Sequence, residues 1–176
     1  SLFINKVKNE STYINDIQVS ALCTQRLELM DKELQDIPII TDNFEEFLDH
    51  VDAVYIRIIP EEHYEHIKKA LNCGKHVLCE SPITLSKQQS KELFALAASK
   101  KLILMEAIKT AYTTAFSRLL LLIKGGKIGD VISVDSTITS LKAHKGKNTE
   151  WNGTYEWGPT ALLPIFQILG TQFKDY

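Results

Sequence analysis

The chain has no long apolar run and almost no net charge. None of its hydrophobic stretches approaches the ~20 residues that a membrane-spanning helix requires. Its formal net charge is −2 at pH 7, which gives no electrostatic reason to expect nucleic acid or an anionic membrane as a partner. The first residues also show no signal-peptide pattern. We therefore expect a soluble protein with neither a membrane nor nucleic acid as its partner.

Cysteine is scarce, and its three copies, Cys23, Cys73 and Cys79, occur in unrelated contexts. This usage fits a reducing compartment, so we expect a cytoplasmic protein. Cys23 and Cys79 lie in strand-like apolar runs and are predicted to be small buried hydrophobes. His63 and His66 lie three residues apart on one helix face, but no further ligand accompanies them, so no metal site is predicted.

The composition is that of an ordinary globular protein, with 44% hydrophobic and 24% charged residues. Short apolar runs alternate with helical patterns of about 10 to 15 residues, which predicts βαβ units and a parallel sheet. The predicted strands cover residues 16–24, 37–41, 51–59, 75–80 and 102–107. The predicted helices cover residues 1–9, 25–34, 43–50, 60–73, 87–101 and 110–127.

Several helix ends carry sequence signals. Asp42 with Glu45 forms a capping box for the helix at 43–50, and Ser86 with Gln89 forms one for the helix at 87–101. Pro60 suits the first turn of the helix at 60–73, which Gly74 follows. These signals agree with the hydrophobic periodicity of the same segments.

The pattern changes after Ile128. Residues 130–141, "DVISVDSTITSL", alternate in polarity, which predicts a half-exposed strand of an open antiparallel sheet. A polar loop and an apolar helix at 159–170 follow. We predict a Rossmann-type, doubly wound α/β domain over residues 1–126 and part of an α+β domain over residues 127–176. The unpaired edges of an open sheet predict self-association, so we expect a homo-oligomer.

Small molecules bind outside the carboxyl ends of the strands in a doubly wound sheet. The sequence places its candidate site residues directly after each predicted strand. These positions are Thr24 to Arg26, Thr41, Arg57 to Pro60, Glu80 to Pro82 and Glu106 to Lys109.

Four segments together resemble a known enzyme family. They are "VDAVYI", "EEHYEHIKKALNCGKHVLCESP", "LFALAASKKLILMEA" and "GGKIGDVISV". In this order they are similar to the Gfo/Idh/MocA (glucose–fructose oxidoreductase / inositol dehydrogenase) family. The resemblance implies hydride transfer between NAD or NADP and a sugar, cyclitol or related alcohol.

The resemblance also implies roles for particular residues. Thr24, Gln25 and Arg26 correspond to the turn that meets the adenosine ribose, and Ile58 and Pro60 to the family's T-P-N turn. The other implied cofactor contacts are His63, Glu80, Ser81 and Pro82. The resemblance also implies a cis peptide bond before Pro82, although most X-Pro bonds are trans.

The resemblance implies catalytic positions at Glu80 and Thr160, and Lys109, which follows a predicted strand end, could partly replace a lysine that the family has. Glu80 could instead only hydrogen-bond at a strand end, and Lys109 could be a surface lysine. Ser81 stands where the family has a lysine that holds developing negative charge. Thr160 stands where the family has a histidine or tyrosine, and a threonine hydroxyl barely ionises near neutral pH. A nucleophilic role for Ser81 would need a neighbouring base.

A second hypothesis follows from these departures. The printed sequence contains no G-x-G-x-x-G loop for a pyrophosphate. Together with the changed T-P-N turn and the changes at Ser81 and Thr160, this permits a non-catalytic relative that serves as a binding or assembly module. Cofactor binding distinguishes that module from an oxidoreductase.

Overall fold

The computed structural model describes residues 17–26, 36–139 and 153–172, together with Ile4, Val7 and Leu34. Within residues 153–172 the side chains are described from Trp157 onward. Most of the predicted helices at 1–9 and 25–34 therefore lies outside the described residues, as does the polar loop at 142–150. No helix in the described ranges combines the length and the hydropathy that crossing a bilayer requires.

Five short parallel strands confirm the α/β prediction. β1 pairs with β2, and β3, β4 and β5 form a second sheet with β4 in the middle. The strands are β1 (Ala21–Cys23), β2 (Ile39–Thr41), β3 (Ala53–Ile56), β4 (His76–Cys79) and β5 (Leu104–Glu106). Each lies within a predicted strand and is shorter than predicted, because only its centre takes part in a hydrogen-bonded ladder.

The helices follow the strands in the expected order. They are α1 (Phe44–Asp49), α2 (Pro60–Asn72), α3 (Lys87–Ser99), a 3₁₀ helix (Lys109–Tyr112), α4 (Thr114–Lys124) and α5 (Gly153–Leu169). Ser86 caps α3 as predicted, since its Oγ accepts a hydrogen bond from the Gln89 amide at 3.5 Å. Gly74 follows α2 with a φ of 76°, a conformation that favours glycine.

The predicted cap of α1 is wrong by one residue. Asn43 is the capping residue, and its Oδ1 accepts hydrogen bonds from the amides of Glu45 at 2.9 Å and Glu46 at 3.3 Å. The side chain of a cap reaches only the amides two and three positions later. Because α1 begins at Phe44, Asp42 lies one residue too early for this role.

The core lies on one face of the three-stranded sheet. Val54, Val77 and Cys79 point from the strands toward Ile67 of α2 and Leu93 of α3, and all five are at most 3% exposed. The opposite face is more open, since Ile103 is 57% and Met105 38% exposed. The apolar residues of these strands therefore divide between a buried face and a partly exposed one.

The predicted strand at 130–141 is wrong over its described part. Residues 130–139 form no strand, and no described residue pairs with them in a ladder. The alternation is instead seen in the exposure of the side chains. Val134, Ser136 and Ile138 are half-buried, while their neighbours in the chain are exposed. Ile132 is 96% exposed. An alternating pattern predicts which face a residue takes, but a strand also needs a partner that supplies its hydrogen bonds.

Candidate functional site

The turn after β1 presents polar groups at the carboxyl edge of the smaller sheet. The Thr24 amide donates to the Thr41 carbonyl at 3.0 Å, and Thr24 Oγ1 accepts from the Arg26 amide at 3.2 Å. Gln25 and Arg26 are exposed. The backbone of this turn is therefore fixed, while two long polar side chains remain available to a ligand.

The turn after β3 exposes apolar side chains at the same kind of edge. Ile56 is 4% exposed, whereas Ile58 is 40% and Ile59 56% exposed. Pro60 then begins α2. Exposed isoleucines directly after a buried strand form an apolar surface where the fold places its ligands.

His63 connects this turn with the turn after β4. The side chain is 1% exposed, and its Nδ1 lies 2.8 Å from the Pro82 carbonyl oxygen while Nε2 lies 3.2 Å from the Ile58 carbonyl oxygen. The half-buried side chain of His66 instead contacts the Glu62 carbonyl oxygen. His63 thus holds two ligand-facing turns at a fixed separation, and the two histidines do not share a ligand.

Glu80 is paired with a residue that the sequence did not single out. The Tyr55 hydroxyl donates a hydrogen bond to Glu80 Oε1. Burial, followed by the hydrogen bond and the charge of Glu80, raises the pKa of Tyr55 above its ordinary value. The phenol therefore stays protonated near neutral pH and remains a donor. The strand register could have indicated this pair. Tyr55 lies opposite Leu78, and Glu80 follows Leu78 by two residues, which places it on the same face of the sheet as Tyr55.

Ser81 is paired with Glu106 across the next strand. Ser81 Oγ donates to Glu106 Oε1 at 2.7 Å, and the Ile83 amide donates to the same oxygen at 3.1 Å. Between these two donors lies Pro82, and the Ser81–Pro82 peptide bond is cis, as the resemblance implied. One carboxylate oxygen of Glu106 therefore binds the residues on both sides of Pro82.

This arrangement supplies Ser81 with a neighbouring carboxylate but not with a strong base. A carboxylate takes a proton from a serine hydroxyl poorly near neutral pH, and Glu106 Oε1 also accepts from Ile83. The Ser81–Glu106 contact consequently serves the shape of the turn. Nearby, burial and the charges of Glu106 and Glu80 raise the pKa of the Cys79 thiol to about 12, so it offers no thiolate nucleophile.

A cavity of about 380 Å³ lies between this turn and α5. Its volume falls within the usual range for small-molecule sites. The lining residues come from the segments after β4 and β5 and from one side of α5: Pro82, Thr84, Ile108, Gly158, Pro159, Leu162, Leu163 and Phe166. The cavity therefore opens at the carboxyl ends of neighbouring strands, where the fold predicts a ligand.

The structure brings together only part of the predicted site. Ile58, His63 and Pro82 are linked by direct contacts, and Glu80 and Ser81 share the turn with Pro82. Thr24, Gln25 and Arg26 lie on the other sheet. None of the three implied catalytic residues, Glu80, Thr160 and Lys109, is among the residues that line the cavity, although Pro159 and Ile108, the neighbours of the last two, are. Lys109 is exposed and Thr160 is half-buried.

Comparison with curated proteins identifies related oxidoreductases. D-xylose 1-dehydrogenase (NADP(+)) from Hypocrea jecorina is 39% identical over 134 residues, which cover 68% of this chain and 34% of that protein. An uncharacterised oxidoreductase from Schizosaccharomyces pombe is 36% identical over 99 residues, covering 56% of this chain and 27% of that protein. The chain thus spans about a third of the length of these relatives.

The fold has solved relatives as well. A structure of scyllo-inositol dehydrogenase from Lactobacillus casei, solved with bound NAD(H) and scyllo-inositol, gives a TM-score of 0.61 at 25% identity. That match covers 70% of this chain and 38% of the dehydrogenase. Residues 3–108 match the model of an oxidoreductase family with an NAD-binding Rossmann fold. Since this match covers more than half of the sequence, the chain belongs to the Gfo/Idh/MocA oxidoreductase family.

Proposed function

We propose that the whole protein is an NAD(P)-dependent oxidoreductase that acts on a sugar, a cyclitol or a related alcohol. One observation carries the proposal: the part of the chain that matches the NAD-binding family contributes the segments after β4 and β5 to one wall of a cavity, and α5 forms the other wall. A relative named D-xylose 1-dehydrogenase (NADP(+)) and a relative solved with NAD(H) and scyllo-inositol support the same substrate class. The family match also favours this hypothesis over the non-catalytic module.

The residues described at the carboxyl edge fit the two ends of a dinucleotide. Polar side chains after β1 suit the adenosine ribose, and the turn after β4 suits the nicotinamide. The exposed surface of Ile58 between them suits a flat ring. We propose that the cofactor, NAD or NADP, is held by Thr24, Gln25, Arg26, Ile58, Pro60, His63, Glu80, Ser81 and Pro82.

The chemistry of such a site divides between cofactor and protein. A bound nicotinamide would accept the hydride from the alcohol carbon while the hydroxyl proton leaves to a base, which would give a ketone or aldehyde. We assign the proton to Glu80, whose carboxylate is already oriented by the Tyr55 hydroxyl. Lys109 follows the cavity-lining Ile108 and would bring a positive charge toward the site, and Thr160 would border the substrate from α5.

Both proposed domains contribute to this cavity. Pro82, Thr84 and Ile108 belong to residues 1–126, while Leu162 and Phe166 belong to residues 127–176. We propose that the first segment binds the cofactor and that the second forms the substrate wall. A cavity between two such segments is a common place for a small-molecule site.

Cofactor binding tests the proposal. NADH and NADPH, titrated separately into the purified protein, are expected to show saturable changes in cofactor fluorescence. Arg26→Ala is expected to weaken the binding of the preferred cofactor about fivefold, because one charge-assisted hydrogen bond to the adenosine end contributes about 1 kcal/mol or more. Arg118→Ala is the matched control, since Arg118 is also an exposed arginine but lies on α4.

Absence of saturable binding at millimolar cofactor would contradict the oxidoreductase proposal and favour the binding module. Equal losses in the two arginine variants would contradict the assignment of Arg26. Turnover of D-xylose, scyllo-inositol or an alcohol with fewer hydroxyl groups, with NAD⁺ or NADP⁺, then identifies the substrate class.

We also propose that the protein is a cytoplasmic homo-oligomer. Ile132 is 96% exposed in a segment without a described ladder partner. Exposed apolar groups of this kind mark contact surfaces. Light scattering is expected to give at least twice the monomer mass, and Ile132→Lys is expected to reduce it. A monomeric native protein would refute the assembly, and recovery in a membrane fraction would refute the location.

A further inference from the structure

The cavity beside the Ser81–Pro82 turn has an apolar wall. Four of its eight lining residues carry aliphatic or phenyl side chains, and three more are prolines or glycine. These residues are Ile108, Leu162, Leu163, Phe166, Gly158, Pro159 and Pro82, and the remaining one is Thr84. Hydrocarbon therefore forms almost all of the described wall of this open cavity.

Three polar side chains near the cavity already hold protein partners. Thr84 Oγ1 donates its proton to the Ser86 carbonyl at 2.9 Å. Glu80 accepts from Tyr55, and Ser81 donates to Glu106 at 2.7 Å. Among the residues that the structure describes here, few donors are thus left to bind several hydroxyl groups of one ligand.

This wall discriminates between classes of alcohol. Each hydroxyl that is buried without a partner costs about 1–3 kcal/mol. Each methylene that is buried against hydrocarbon contributes about 0.8 kcal/mol. A fully hydroxylated ring is consequently disfavoured in the cavity, whereas a ring with one oxygen and an apolar remainder is favoured.

We propose that the cavity holds the apolar part of the substrate, an alicyclic or aromatic ring that carries the reacting alcohol or ketone, and that it rejects a fully hydroxylated sugar. The proposal rests on the proposed function, because it takes this cavity as the substrate site of the oxidoreductase. It narrows the class of related alcohols to those with an apolar face.

Calorimetric titration with 2-tetralone and with D-xylose, both without cofactor, tests the proposal. We expect 2-tetralone to bind with a Kd at least tenfold below that of D-xylose. Leu162→Gln is expected to raise the Kd of 2-tetralone about tenfold, because it places an amide in the apolar wall. Leu119→Gln is the control: Leu119 is 39% and Leu162 47% exposed, but Leu119 lies on α4 and does not line the cavity.

Leu162→Ala provides a second variant if Leu162→Gln does not fold, and it should raise the same Kd about fivefold through lost contact area. Binding of D-xylose as tight as that of 2-tetralone would overturn the proposal, as would equal effects at Leu162 and Leu119. If neither cofactor binds but 2-tetralone still binds more tightly than D-xylose, the redox function is overturned while the apolar cavity stays supported. Cofactor binding without 2-tetralone selectivity would overturn this inference alone.

Discussion

The Ile67→Ala variant is expected to lose about 2–5 kcal/mol of unfolding free energy, the usual cost of truncating a large buried aliphatic side chain. Ile67 is 0% exposed and lies on α2, within the cluster that joins the three-stranded sheet to α2 and α3. Truncation removes its contacts and leaves a cavity that the neighbouring side chains fill only in part. Urea unfolding followed by circular dichroism measures the change.

Leu121→Ala is the control for this prediction. Leu121 is a helical residue of similar size, but it is 70% exposed on α4. We expect its truncation to change the unfolding free energy by less than about 0.5 kcal/mol. A loss at Ile67 no greater than that at Leu121 would show that the described cluster is not the stabilising core.

The Glu106→Ala variant is expected to destabilise the protein by about 2–4 kcal/mol. The substitution removes the acceptor of two hydrogen bonds, from Ser81 Oγ and from the Ile83 amide. Ile83 is 6% exposed, so its amide would find little water in place of the carboxylate. Hydrogen bonds to charged groups contribute about 1.5–3 kcal/mol each, and a buried donor without a partner adds a cost.

Glu106→Gln separates the hydrogen bonds from the charge. The glutamine oxygen still accepts from Ser81 and Ile83, so we expect a loss of only about 1 kcal/mol. Hydrogen exchange gives a local measurement: the Ile83 amide should exchange faster in Glu106→Ala than the global destabilisation requires. Equal stability of the alanine and glutamine variants would show that Glu106 does not hold the turn.

Strand positions could be predicted from the sequence because burial is a local pattern. The runs around Val54 and Val77 are apolar and bounded by turn residues, and both fall in described strands. The predicted cap of α1 lay one residue too early. Asp42 and Asn43 are both chemically suitable caps, and only the residue at which the helix begins decides between them.

The pairs at the site could not be predicted with the same certainty. Tyr55 and Glu80 are 25 residues apart, as are Ser81 and Glu106, and their contacts depend on the register between β3, β4 and β5. The apolar character of the cavity also required the structure, because α5 brings Leu162 and Phe166 beside Pro82. Alternation at 130–139 could not reveal whether a partner strand was present.

In the part of the chain that the structure describes, β1 and β3 form no hydrogen-bonded ladder with each other, so the two sheets are held together in other ways. Ser20 Oγ donates to the His50 carbonyl at 3.0 Å, which ties the sheets near the amino ends of these strands. Ala21 and Cys23 otherwise meet the larger sheet through side-chain packing, which is non-directional. Among the described residues, the separation of Arg26 and Ile58 at the carboxyl edge is therefore set by side-chain packing and not by a hydrogen-bonded ladder.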